Sequence, residues 1–200
     1  DDAVALPAGT LDGNDIIIGG TGEDQLYGGG GNDELYSGYK DATTNDFVKD
    51  SLHGGAGDDR LYSDGGGDEL YGDEGNDILH ASINSEGDYL DGGAGDDVFF
   101  ASYSNQSKFV GGSGKGYFYA ENSINGQFTG DSDVDVFILQ NAKGAAFNGA
   151  SGKNSYVVDR AALLKGANGT VTDEGDWQIS VDYQTIIGNG LISNAEIRKS

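Results

Sequence analysis

Large apolar residues recur along the first half of this chain at a preferred interval of nine, as at Leu26 and Leu35 and again at Leu52, Leu61, Leu70 and Leu79. Most stand between polar or aromatic neighbours, as in Gln25-Leu26-Tyr27, Glu34-Leu35-Tyr36 and Arg60-Leu61-Tyr62. In a strand, successive side chains point to opposite faces, so each triplet predicts a three-residue strand with only its middle side chain turned inward. One core residue per nine is the pattern of a solenoid, and a fixed short period decides architecture ahead of any propensity argument.

The residues between these triplets repeat as well. Gly19 to Tyr27 is followed without a gap by Gly28 to Tyr36, and Gly54 to Tyr62 and Gly92 to Phe100 repeat the same pattern, G-G-x-G-x-D-x-U-x with U a large apolar residue. Looser copies are centred on Asp15, Asp50, Asp68, Asp77 and Asp88, with their apolar residues at Ile17, Leu52, Leu70, Leu79 and Leu90. Glycine at the first, second and fourth positions lets the backbone turn tightly with φ > 0, so that carbonyl oxygens point toward one spot. Aspartate at the sixth position adds a carboxylate. Calcium prefers six to eight hard oxygen ligands of these two kinds.

This pattern closely resembles the calcium-binding repeat of RTX proteins. The resemblance implies an all-β fold, a parallel β-roll (a right-handed β-solenoid of nine-residue half-turns) with a C-terminal cap. It also implies that two turns make one coil and that each ion sits between neighbouring turns of one edge. With 37–44 read as a looped insertion, Asp15, Asp33, Asp59, Asp77 and Asp97 fall on one edge and Asp24, Asp50, Asp68 and Asp88 on the other. The gaps between edge neighbours then predict about seven calcium ions. Carbonyls of Gly20 and Gly22, Gly29 and Gly31, Gly55 and Gly57, and Gly93 and Gly95 join the aspartates as expected ligands.

Beyond Phe99 the apolar position continues through Phe109, Phe118, Phe128, Phe137, Phe147 and Tyr156, at alternating intervals of ten and nine. The sixth positions now read Ser107, Gly116, Gly126, Asp135, Ala145 and Asn154, so most carboxylates are gone. Calcium is not expected to load this half; an aromatic ladder replaces it as the stabiliser. The chain thus divides into a lead-in (1–9), a calcium-loaded roll (10–100), a metal-poor aromatic-stacked continuation (101–157) and a capping segment (158–200). Within the last, Asp159 to Lys165 suits a helical turn and Asp173 to Asp176 a turn. Trp177, Ile179, Val181 and Tyr183 alternate with polar residues as a half-buried strand does.

Composition agrees. Lysine and arginine total 11 against 34 acidic residues, a formal charge of −23 that repels nucleic acid and anionic membrane. The absence of cysteine excludes disulfides and thiolate zinc sites, and no apolar run is long enough for a membrane span.

Other signals are weaker. Gly111 to Gly116 and Gly149 to Lys153 lack the spacing of a phosphate loop. Asp131, Asp133 and Asp135 open like an EF-hand, but Val136 and Ala142 replace its glycine and glutamate. His53 and His80 fall at outward ninth positions, and no catalytic motif occurs, so the chain reads as non-catalytic. Tyr27, Tyr36, Tyr62 and Tyr71 make an outward row able to stack on sugars.

The RTX resemblance implies a secreted, extracellular bacterial protein that leaves through a type I secretion system and folds on meeting calcium. An alternative is a carbohydrate-binding module of an extracellular polysaccharide-modifying enzyme, with acidic polysaccharide as partner, since Gly9-Thr10-Leu11-Asp12-Gly13-Asn14-Asp15 is similar to the calcium modules of alginate epimerases. A third reading is an adhesin or surface-layer segment.

Overall fold

The computed structural model describes residues 12–39, 47–81, 85–131, 133–140, 146–149, 153–158, 171–172, 176–181 and 184–189. Every regular element among them is a strand, and no described helix is long and apolar enough to cross a membrane. The strands alternate between two sheets, so each coil of chain contributes one strand to each. One sheet holds β1 (Ile16–Ile18), β3 (Glu34–Tyr36), β5 (Arg60–Tyr62), β7 (Ile78–Ala81), β9 (Asp97–Ser102), β11 (Gly116–Glu121), β13 (Val136–Gln140), β15 (Lys153–Val158), β17 (Asp176–Val181) and β18 (Gln184–Asn189), in that spatial order. The other holds β2 (Gln25–Gly30), β4 (Ser51–Ala56), β6 (Glu69–Glu74), β8 (Tyr89–Asp91), β10 (Lys108–Val110), β12 (Gln127–Thr129), β14 (Ala146–Asn148) and β16 (Val171–Thr172). All pairings are parallel except that of β17 with β18. The fold is therefore the expected all-β parallel β-roll.

Register explains the core. Ile17, Leu35, Leu61, Leu79, Phe99, Phe118 and Phe137 align across one sheet, and Leu26, Leu52, Leu70, Leu90, Phe109, Phe128 and Phe147 across the other. All are buried, so two flat columns of side chains meet between the sheets. Where leucine gives way to phenylalanine, the rings stack face to face within each sheet, at 4.7 Å for Phe99–Phe118 and Phe109–Phe128. Between sheets they meet edge to face, as Phe118 and Phe128 do at 6.1 Å. Both geometries suit the ring quadrupole, which disfavours an eclipsed sandwich.

The turns change along with the core. In the first half positive φ falls on glycines, with Asp73 at 73° the exception among the described residues; in the second, Tyr103, Gln106, Asn122 and Asn125 have φ between 54° and 59° alongside Gly112 and Gly114. The tail strand starting near Trp177 is present as β17, extended by the antiparallel β18. Residues 1–9, most of the 37–44 insertion, Asp159 to Lys165, the turn at 173–175 and Tyr183 lie outside the described residues.

Candidate metal centre

Each sixth-position aspartate of the first half precedes a strand or, like Asp97, opens one at a turn edge, and the stacked coils bring these residues into two columns. On one edge the Asp15 N–H donates to Asp33 Oδ1 at 2.8 Å, Asp33 N–H to Asp59 Oδ1 at 2.7 Å, Asp59 N–H to Asp77 Oδ1 at 2.7 Å and Asp77 N–H to Asp97 Oδ1 at 2.8 Å. On the other, Asp24 donates to Asp50 at 2.8 Å, Asp50 to Asp68 at 2.9 Å and Asp68 to Asp88 at 3.1 Å in the same way. One oxygen of each accepting carboxylate thus caps the preceding coil.

The second oxygen is the informative one. Oδ2 of Asp33, Asp59, Asp77 and Asp97 is buried and has no hydrogen-bond partner. It leans over the first glycine of its own turn: a methyl group added at Gly54 would strike Asp59 Oδ2 and lie 2.8 Å from the Gly72 carbonyl oxygen of the next coil. A methyl at Gly28, Gly72 or Gly92 would likewise meet the carboxylate of its turn and the carbonyl of Gly54, Gly92 or Gly111. Acceptor oxygens from two coils therefore converge where no donor stands. Leaving a buried carboxylate oxygen without a partner is costly, and a bound cation is the standard remedy.

Burial also raises the carboxyl pKa values. Asp59 and Asp97 are pushed up to about 6, Asp77 to about 7 and Asp68 to about 8, in each case mainly by loss of water and partly offset by the backbone N–H that each accepts. Asp33 and Asp88 rise for the same leading reason. The donor set consists of carboxylates and carbonyls only, which suits calcium or another hard cation rather than zinc or copper.

Two groups of residues join these columns without having been singled out from sequence. Asp64 sits at a second position normally held by glycine, and its carboxylate lies with those of Asp50 and Asp68 so that the three offer oxygens within 4.8 Å of one another. Ser37 ties the group together, its Oγ lying 2.9 Å from Asp64 Oδ1 and 3.0 Å from Asp68 Oδ2. A second column runs beside the first, in the opposite direction: Asn14, Asn32, Asp58, Asn76 and Asp96 each accept the backbone N–H of the following coil through a side-chain oxygen, at 2.8 to 3.0 Å. These exposed fifth-position residues brace the turn. The hydrogen bonds from Asn76 hold the Asp58 carboxyl below its ordinary value.

Past Asp97 the turns satisfy themselves. The Asp135 oxygens accept the N–H of Gly116 at 2.9 Å and of Asp131 at 3.2 Å. Asn154 Oδ1 accepts Asp135 N–H at 2.8 Å, while its Nδ2 donates to the Gly149 carbonyl at 2.5 Å. That amide does with hydrogen what the first half leaves undone between a sixth-position oxygen and a first-position carbonyl. Ser107 Oγ accepts Asp88 N–H at 3.1 Å and is itself held by Ser104 at 2.7 Å. At Gly116 and Gly126 the rings of Phe118 and Phe128 come within 2.5 to 3.0 Å of where a β-carbon would stand. The larger core side chain fills the space an aspartate would need at those two turns.

On the outer faces of the roll, His53 and His80 are half-buried, because neighbouring rings cover them. His53 stacks between Tyr27 and Tyr71 at 5.2 and 4.6 Å, and His80 between Tyr62 and Phe100 at 4.7 and 4.6 Å. Tyr36 stacks on Tyr62 at 4.7 Å. With interplanar angles of 7° to 14°, these rings face one another across the coils, and Tyr62 has a ring against each of its faces.

A family model described as RTX calcium-binding nonapeptide repeat (4 copies) matches residues 10–38, 49–79 and 84–105. No curated protein and no solved structure matches the chain.

Proposed function

The matched stretches make the first half of this chain a member of the RTX calcium-binding nonapeptide repeat family, and from that premise we propose a non-catalytic β-roll of an exported bacterial protein that folds when it meets calcium outside the cell. The carrying observation is the row of buried Oδ2 atoms at Asp33, Asp59, Asp77 and Asp97, which have no hydrogen-bond partner. Asp15, Asp33, Asp59, Asp77 and Asp97 on one edge and Asp24, Asp50, Asp68 and Asp88 on the other would hold the ions, with the first-position carbonyls of Gly54, Gly72 and Gly92 that lie beside Oδ2 and those of the second- and fourth-position glycines that the repeat implies. Four gaps on one edge and three on the other give about seven ions. Bound calcium supplies the positive charge and the six to eight coordination positions that these oxygens call for.

The residues account for the coupling to folding. Eight aspartates of the two columns, each at most 2% exposed, must give up water on folding, and their mutual repulsion opposes the compact state. Glycine-rich turns add a large backbone entropy cost. Without cation the unfolded chain is favoured, and any ion that binds only the folded state shifts the balance by mass action. A low-calcium interior and a calcium-rich exterior then set where folding occurs, which suits a protein exported unfolded by a type I system. The division into a metal-loaded 10–100, a metal-poor 101–157 and a cap at 158–200 follows the same reasoning.

Far-ultraviolet circular dichroism in excess chelator and in millimolar calcium, with calorimetric counting of ions, tests this reading. The β signal should collapse on chelation and return with about seven ions bound per chain. An unchanged signal in a chain shown to be metal-free would overturn it.

A further inference from the structure

The outward faces of the two sheets differ. On the ten-stranded sheet, register aligns Val98, Tyr117 and Val136 in one row and Phe100, Tyr119 and Ile138 in the next. None is buried; Tyr119 is 36% exposed. The first row starts from Ile78 on β7, and the second runs from Tyr36 and Tyr62 through His80 to Val157 on β15, which is 41% exposed. Neither row carries a charged side chain between Ile78 and Val157, in a chain whose net charge is −23. The patch is bounded by Arg60 on β5 at one end, by Glu121 along one side, and by Asp96 and Lys115 along the turn edge. The opposite sheet shows water Glu69, Asp91 and Lys108 at corresponding rows.

We propose that this face binds the same face of a second copy of the chain, giving a weak two-fold dimer. Charge selects the occupant. Two copies of so acidic a protein repel wherever carboxylates meet, and this strip is the part of the described surface where a flat contact brings none together. A two-fold contact is self-complementary, so one neutral strip suffices, and outward side chains held in level rows by parallel register suit sheet-on-sheet packing. An apolar centre with a charged rim is also the usual composition of an interface.

Area sets the strength. Five strands spaced by roughly 4.8 Å and two rows of side chains cover about 24 by 14 Å, or about 340 Å² per copy. A standard stable interface needs about 800 Å² per partner, so the pairing belongs to the transient class. Sedimentation equilibrium of the full chain in saturating calcium should show an average mass at the monomer value near about 10 µM and rising toward the dimer by about 1 mM. Tyr119→Lys and Val157→Lys should each hold the mass at the monomer value across that range, while Thr129→Lys, on the other sheet's outward face, should dimerise like the parent chain. Circular dichroism in calcium checks that each variant is folded; if Tyr119→Lys fails to fold, the peripheral Val157→Lys decides. A parent chain that stays monomeric at about 1 mM, leaving the face to some other partner, would overturn the proposal, as would dimerisation unaffected by Val157→Lys.

Discussion

Replacing Asp59 by Asn separates the two jobs of a sixth-position residue. Oδ1 remains to accept the Asp33 N–H, which it does at 2.7 Å, and the Asp59 N–H still reaches Asp77 Oδ1. What changes is the second oxygen, now without a partner beside the Gly54 and Gly72 backbone, which becomes an amide donor. Asn154 shows the outcome, its Nδ2 donating to the Gly149 carbonyl of its own turn. A carboxyl held at about 6 instead of 3.8 costs about 3 kcal/mol when ionised, and roughly half that once solvent screening at the turn edge is allowed for. A new hydrogen bond adds about 1 kcal/mol. Asp59→Asn should therefore stabilise the metal-free chain at neutral pH by about 2 kcal/mol, and lower the calcium stoichiometry by up to two ions, because Asp59 borders two gaps. Asp135→Asn, in a turn already satisfied by Gly116 and Asp131, should leave the ion count unchanged. The β signal left in chelator at neutral pH, stronger for Asp59→Asn than for the parent chain, reads the first quantity, and calorimetric titration reads the second. The reasoning fails if Asp59→Asn is less stable than the parent chain in chelator, or if the Asp59 and Asp135 variants lose equal numbers of ions.

In the metal-free chain the raised carboxyl pKa values of Asp59, Asp97, Asp77 and Asp68 mean that protons favour the fold. Their contribution is complete below about pH 4 and is lost as pH rises through about 6 to 8, so in excess chelator the β signal should be stronger at about pH 5 than at about pH 8. Phe128→Ala removes a ring that is 1% exposed and stacked on Phe109 and Phe147, so it should cost about 3–5 kcal/mol in thermal unfolding without changing the ion count. Gly116→Asp restores the repeat's aspartate on paper, but the Phe118 ring lies 2.5 Å from the new β-carbon; stability should fall by about 1–3 kcal/mol, and calorimetry should show no additional ion.

Much of this architecture was legible because the period fixes both the inward residue and the edge on which each aspartate falls. Asp33, Asp59 and Asp77 are joined by hydrogen bonds spanning 26 and 18 residues, and treating 37–44 as an insertion was enough to place them in one column. Asp64 was not legible, since it stands at a glycine position and meets Ser37 across 27 residues, beside the insertion that disturbs the count. The fifth-position column was hidden by its chemistry: Asn32, Asp58, Asn76 and Asp96 look variable as letters, yet each presents the same acceptor oxygen. The turns at Tyr103, Gln106, Asn122 and Asn125 show only as a ten-residue interval, because residues other than glycine carry the positive φ there. The half-buried histidines follow from ring stacking across coils, which depends on side-chain rotation as well as on register.

The central claim is that cations occupy the aspartate columns of the first half and stop where the turns become self-satisfied. Anomalous diffraction from crystals grown in calcium locates each ion directly. The account predicts peaks in the gaps from Asp15 to Asp97 and from Asp24 to Asp88, and none between Gly116 and Asp135 or between Asp135 and Asn154. Peaks continuing at even spacing to Asn154, or none beside Asp33, Asp59 and Asp77, would contradict it.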